Sequence, residues 1–321
     1  RTDFDEETEF ITPRNSPSVL DAAFNRPPDT ADGPWDGVMF WDGRTSSLEA
    51  QARAPVRSRD EMRHDAYGAP EAVTEVVLEL QGIPEYVQLF LAAFPEEAAA
   101  LPAGSEPLII NGNSYGRAVA AYERELCTAD SPFDRFVRGD DGALSYLQNR
   151  GLDLFWRKGC VSCHSGPMFS DFQFRALGVK QEGPGRPPIH ERGDGTDKGR
   201  FQETGLLEDL YAFRTPTLRN VELTGPYFHT GGFGTGGDYQ TLRQAVEFFA
   251  RGGGDEDLVD GEVHPFLESV SLSSDEIDAL VAFLKSLTAT RLVSDRVDPT
   301  VPAAVPSGLD PPPVLEPVLR P

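Results

Sequence analysis

Apolar residues recur at three- and four-residue spacing in several stretches of the chain, the signature of helices with one buried face. Two stretches, PEAVTEVVLEL from Pro70 and PEYVQLFLAAF from Pro84, open on a proline, which suits a first helical turn where the backbone N–H has no partner to lose. The same spacing runs through Val119, Tyr122 and Leu126 within Asn113–Cys127, and from about Leu144 through Leu147, Leu154 and Phe155. A short helix carries Leu242, Ala245, Val246 and Phe249 on one side. The last helix opens on a Ser273-x-x-Glu276 capping box and presents Ile277, Leu280, Val281 and Leu284. Between these stretches the pattern fails. Residues 1–60 carry turn signals such as NRPPDTADGPWDG, SPFDRFVRGDDG reads as a linker, and residues 181–200 and 230–238 are glycine-rich loops. After about Asp295 the chain is proline-rich and expected to be extended. The pattern predicts a mainly α fold with long irregular loops.

A weak internal repeat adds organisation. SPSVLDAAF (Ser16–Phe24) echoes TPTLRNVEL (Thr215–Leu223), and MFWDGRTSSLEAQA (Met39–Ala52) echoes PYFHTGGF…TLRQA (Pro226–Ala245). The echo predicts two related domains, at 1–135 and 136–292, followed by a tail at 293–321. With 321 residues there is room for both.

Composition narrows the function classes. A net charge of −23 argues against a nucleic-acid partner, because phosphate binding needs a basic surface, and it suits a cationic one. No apolar run approaches the roughly 18 residues of a membrane span. Arg1 is not a natural start, so the chain is expected to be processed or truncated, with an export signal removed. The three cysteines do not make a disulfide framework. Cys127, in AAYERELC, reads as a small apolar residue on a helix.

The other two cysteines stand in RKGCVSCHSGPMF as Cys160-Val161-Ser162-Cys163-His164. In c-type haem attachment the two thiols bond to the porphyrin vinyl groups and the adjacent histidine reaches the iron. A zinc half-site would want a second Cys/His pair, and a dithiol redox motif would want a βαβ setting. Neither is present in the sequence. Haem is therefore the expected group, tethered by Cys160 and Cys163 and ligated by His164. The sixth iron position decides between electron carrier and reactive centre. Candidates by residue type are His64, His190, His229, His264, Met39, Met62 and Met168.

Taken together, NSPSVLDAAF, FWDGRTSSLEAQA, SPFDRFVRGD, GCVSCHSGPMFSD, RTPTLRNVELTGPYFHTG and LSSDEIDALVAFLKSLT resemble the bacterial di-haem cytochrome c peroxidases and the MauG-like enzymes along nearly the whole chain. The resemblance implies two cytochrome c-like domains, each with a haem, and a calcium ion between them. It implies that Trp41 relays electrons between the haems and that Glu61 moves protons above the peroxidatic one. It implies that Asp21, Thr224 and Pro226 hold the calcium, although the family usually has Asn where Asp21 stands. Two departures stand out. The N-terminal attachment motif is missing, and its place by the repeat offset falls before Arg1. The sixth ligand of the C-terminal haem, usually Met or Tyr, is matched by Phe249, which has no donor atom; His264 or His229 could substitute. The expected function is periplasmic reduction of hydrogen peroxide with electrons from a small cytochrome c or cupredoxin. The alternatives are MauG-like oxidation of a Trp or Tyr on a partner protein, and a non-catalytic electron-transfer or structural subunit of a larger assembly.

Overall fold

The computed structural model describes residues 12–25, 37–181, 196–231, 239–254, 270–290 and 304–309. The chain divides into two units, and the first is a helical cluster over 47–125, with which 304–309 group. It contains α1 (Leu48–Gln51), α2 (Ala54–Arg57), α3 (Ala72–Gln81), α4 (Pro84–Ala93), α5 (Pro95–Ala99) and α6 (Gly112–Glu125). The two helices predicted to open on proline appear as α3 and α4, with Pro84 in the first turn of α4. Their apolar faces meet over Val56, Val73, Val77, Val87, Phe94 and Ile110. Each such side chain contributes about 1.5–3 kcal/mol by leaving water. Helices α1 and α6 pass so close that a Cβ on Gly116 would lie 2.6 Å from the Glu49 carbonyl oxygen, a gap only glycine leaves open.

The second unit holds 12–46 together with 126–294. Its elements are α7 (Pro132–Val137), α8 (Tyr146–Arg157), β1 (Phe174–Arg175), α9 (Phe201–Thr204), β2 (Phe213–Arg214), α10 (Leu242–Ala250) and α11 (Ser274–Lys285). Helices α8 and α11 form the scaffold. Gly151 lets them touch, because a Cβ there would lie 2.0 Å from the Ala279 carbonyl oxygen. Phe133, Phe155, Phe169 and Phe283 pack around that contact with centroids 5.0–6.1 Å apart, edge to face except for the tilted pair Phe155–Phe283. The expected capping box at Ser273 and Glu276 is present, and Ser145–Gln148 and Thr241–Gln244 cap α8 and α10 the same way. Strands β1 and β2 form a short antiparallel ribbon, pairing Phe174 with Arg214 and Arg175 with Phe213.

One expectation changes. SPFDRFVRGDDG is not a linker: Ser131 and Asp134 make a capping box around Pro132, and Phe133 joins the core. The stretch 12–46 groups with the second unit. Having no apolar periodicity of its own, it is fastened by polar bonds to distant residues. Arg14 grips Asp197 through Nε and Nη2 at 2.7 Å each and also pairs with Asp42. Asp21 receives the Thr128 backbone N–H at 2.6 Å. The proline-rich tail lies outside the described residues except for 304–309. Among the described residues, no helix is long and apolar enough to cross a membrane.

Candidate haem site

Helix α8 delivers the attachment motif. It ends at Arg157, Gly159 reverses the chain at φ 81°, and Cys160–Ser162 form a single tight turn. Only glycine adopts that φ without a steric cost. The Cys160 carbonyl accepts the backbone N–H of both Cys163 and His164, which winds both thiols and the imidazole around one point. The loop then folds back, so that the Asp171 N–H donates to the Cys163 carbonyl at 2.8 Å.

His164 Nδ1 lies 2.8 Å from the Phe169 carbonyl oxygen. A carbonyl can only accept, so Nδ1 carries the proton. Desolvation of the imidazole holds its pKa below the usual value against the opposing pull of that bond. A neutral ring with hydrogen on Nδ1 has its lone pair on Nε2, the form a metal requires. Phe169 takes φ 51°, which turns its carbonyl toward the ring. Burial also pushes the Cys160 thiol up to about 11. It is therefore held as a neutral thiol, and no disulfide joins it to Cys163.

Cys160, Cys163 and His164 line one cavity of about 200 Å³ in the second unit. Its walls are largely apolar, supplied by Phe155, Leu218, Val246 and Leu280 on one side and by Leu177, Val179, Phe228 and Phe249 on another. Two cores meet there: the α8–α11 core, which includes Cys160, and a smaller one around Val179, Tyr239 and Phe248, against which Phe249 packs. Two thiols, one tautomerically fixed imidazole and apolar walls are the donor set and lining that suit a covalently attached haem.

Trp41 lines the same cavity, its Nε1–H donating to the Asn15 carbonyl at 2.8 Å. His229, 4% exposed, lies flat on Phe213 with centroids 3.6 Å apart and stands edge-on to Trp41. Phe249 and His229 both line the cavity. His190 and His264 fall outside the described residues. His64 is in the first unit, and Met62 is exposed. Met39 is buried, with its sulfur accepting from Asn25 Nδ2, and Met168 is buried away from the cavity lining.

The remaining expected site residues are placed as follows. Glu61 is exposed in a one-turn π segment, Arg59–Arg63, of the first unit. Asp21 has both carboxylate oxygens engaged by Thr128 and Asn220. The Thr224 hydroxyl donates to the Val221 carbonyl. The Pro226 carbonyl accepts from Asn15 Nδ2 at 2.7 Å, so Asn15, and not Asp21, is the residue seen to reach Pro226. Among the described residues, no three His, Cys, Asp or Glu side chains cluster as a metal site.

Sequence reasoning missed Asn15 and two cavity arginines. Arg175 is paired with Asp171 at 2.6 Å, while Arg214 has no acidic partner among the described residues. The available signal was the pair of strings FQFRAL and AFRTP, each placing an arginine directly after phenylalanine.

The helical scaffold and the thiol–imidazole cavity define a c-type haem protein. Comparison with known proteins makes this specific. The family model described as di-haem cytochrome c peroxidase matches residues 4–142. The chain is 34% identical over 293 residues to cytochrome c551 peroxidase of Pseudomonas aeruginosa, covering 91% of this chain and 69% of the relative. It is 33% identical over 278 residues to the methylamine utilization protein MauG of Methylorubrum extorquens, covering 86% and 65%. A solved MauG-like protein associated with microbial copper homeostasis superposes with a TM-score of 0.67 at 26% identity, covering 88% of this chain and 78% of that one. The chain belongs to the di-haem cytochrome c peroxidase family, whose members are oxidoreductases.

Proposed function

We propose that this chain carries c-type haem on Cys160 and Cys163 and serves as a periplasmic peroxidase, reducing hydrogen peroxide with electrons from a small cytochrome c or cupredoxin. The observation that carries this reading is the single cavity lined by both thiols and by His164, whose lone pair is fixed on Nε2. Bound there, haem supplies an iron that accepts and passes on electrons. The protein supplies the rest. His164 holds the iron, and its Nδ1–H bond to Phe169 makes the ring a stronger donor. Trp41 is fixed at the cavity wall by its bond to Asn15 and offers an oxidisable ring for electron relay. Glu61 is assigned proton transfer from the resemblance to the family, as a carboxylate able to take a proton from one oxygen and return it to another. For calcium, Asp21 is already bound up. A half-turn of the Asn15 amide would set its oxygen beside the Pro226 carbonyl, a pairing suited to a hard cation.

The test is peroxide turnover by haem- and calcium-loaded protein with reduced cytochrome c as donor. Turnover supports the reading, and its absence in a fully loaded preparation sinks it. A second reading, oxidation of a Trp or Tyr on a partner protein, is favoured by Phe249 standing in the cavity where no methionine lines the described wall. It requires a peroxide-dependent mass change in that partner, and an unmodified partner counts against it.

A further inference from the structure

The buried carboxylates described in the second unit are all partnered, Asp21 by hydrogen bonds to Thr128 and Asn220 and the others by arginines. Asp42 and Asp197 meet Arg14, and Asp134 meets Arg219 through two bonds of 3.0 Å. Arg214 is the arginine that is buried among the described residues, 9% exposed, and no described carboxylate meets it. Its Nη1 donates to Asn25 Oδ1 at 2.5 Å, and its Nε has no acceptor there. The guanidinium lies 5.6 Å from the Phe172 ring centroid, and the backbone N–H is tied to the Trp41 carbonyl at 2.8 Å. A guanidinium removed from water without a counter-charge is costly. Burial alone lowers its pKa to about 10, with no opposing charge to restore it.

The location says which anion is missing. Arg214 lines the cavity that holds Cys160, Cys163 and His164. The group that fits this cavity brings its own carboxylates. The other arginine on the wall, Arg175, is already neutralised by Asp171. We infer that Arg214 is the counter-charge of a propionate carboxylate of the haem attached at Cys160 and Cys163, a positioning residue that fixes the porphyrin's orientation and raises the reduction potential of the iron under His164. The inference rests on the haem reading above. Reduction removes one positive charge from the haem. A guanidinium that offsets the propionate therefore favours the reduced state, and its loss favours the oxidised one.

The experiment uses haem-loaded protein and reads intact mass first, then midpoint potential by spectroelectrochemistry across roughly pH 5 to 9. Parent protein without covalent haem overturns the haem reading and this inference with it; covalent haem isolates the role of Arg214. Arg214→Gln is expected to lower the potential and to make it newly pH-dependent, because an unpaired buried carboxylate takes up a proton in this range. Arg214→Lys is expected to restore most of both properties. With Cys160 and Cys163 as thioethers and His164 as the ligand, the other ionisable groups on the wall are Arg175, His229, Tyr211 and Tyr227, which all three proteins share. Asn25→Asp keeps the arginine but sets a rival carboxylate against it, and is expected to lower the potential in the same direction. This variant decides the matter if Arg214→Gln does not fold. Overlaying potentials and pH profiles for Arg214→Gln and parent overturn the inference. So does a lowered potential that lysine fails to restore, or an Asn25→Asp protein with the parent's potential.

Discussion

At the scale of single residues, two buried acids show how environment sets their behaviour. Asp21 is buried and its pKa is raised by desolvation, but Thr128 and Asn220 hydrogen-bond its oxygens and partly offset that cost. Glu123 on α6 has less help. It is buried, its Oε2 finds no partner among the described residues, and desolvation raises its pKa to about 7, with Arg124 opposing and Glu49 reinforcing. A folded pKa above the unfolded value means that the protonated form fits the fold. That stability is fully present below the unfolded value near 4.5 and is lost as pH rises through about 7. Glu123→Gln is therefore expected to stabilise the first unit above pH 7 by about 3 kcal/mol at most, with little effect near pH 5. Urea unfolding at the two pH values measures this, and equal effects at both would contradict the assignment.

The same scale explains what could be read in advance. Cys160, Cys163 and His164 were legible because their chemistry is local, with all three in five consecutive residues. The hydrogen bonds of Asp21 were not, because its partners Thr128 and Asn220 lie 107 and 199 residues away and leave no local trace. Asn15 was passed over for the same reason: its link to Pro226 spans 211 residues.

At the scale of elements, helices with sustained apolar periodicity came out close to their expected limits, such as α6 at 112–125 and α11 at 274–285. Helix α7 was misread, because six residues are too few to show a period and the Ser131–Asp134 box was taken for turn chemistry. The decisive contact between elements is α8 against α11. Gly151→Ala would drive a methyl group into the Ala279 carbonyl and the Phe283 side chain, so the helices must part. The expected loss is about 2–3 kcal/mol, seen as a lowered Tm. Because α8 carries the attachment turn at its end, the haem spectrum should broaden in the same variant. Unchanged stability would mean that the two helices sit further apart than described.

At the scale of the whole molecule, the excess of 52 acidic over 29 basic residues governs encounter with partners. A basic electron donor is expected to show a KM that rises several-fold between roughly 0.05 and 0.2 M salt, as screening shortens the reach of the field. Steady-state kinetics across that range with a basic and an acidic donor give the check. A basic donor indifferent to salt would rule out electrostatic steering.

The placement of residues 12–46 has a consequence for the order of assembly. The core of the first unit is drawn from residues 56 to 118, so it can close as soon as that stretch has emerged. The second unit cannot. Its opening segment must wait for Asp197, Asn220 and the His229 carbonyl, supplied far later in the chain. Long-range closure is the slow step in folding. The thiols at 160 and 163 are thus made before the clasp from Arg14 to Asp197 exists, so on the haem reading proposed above they are available for attachment before the opening segment is fastened.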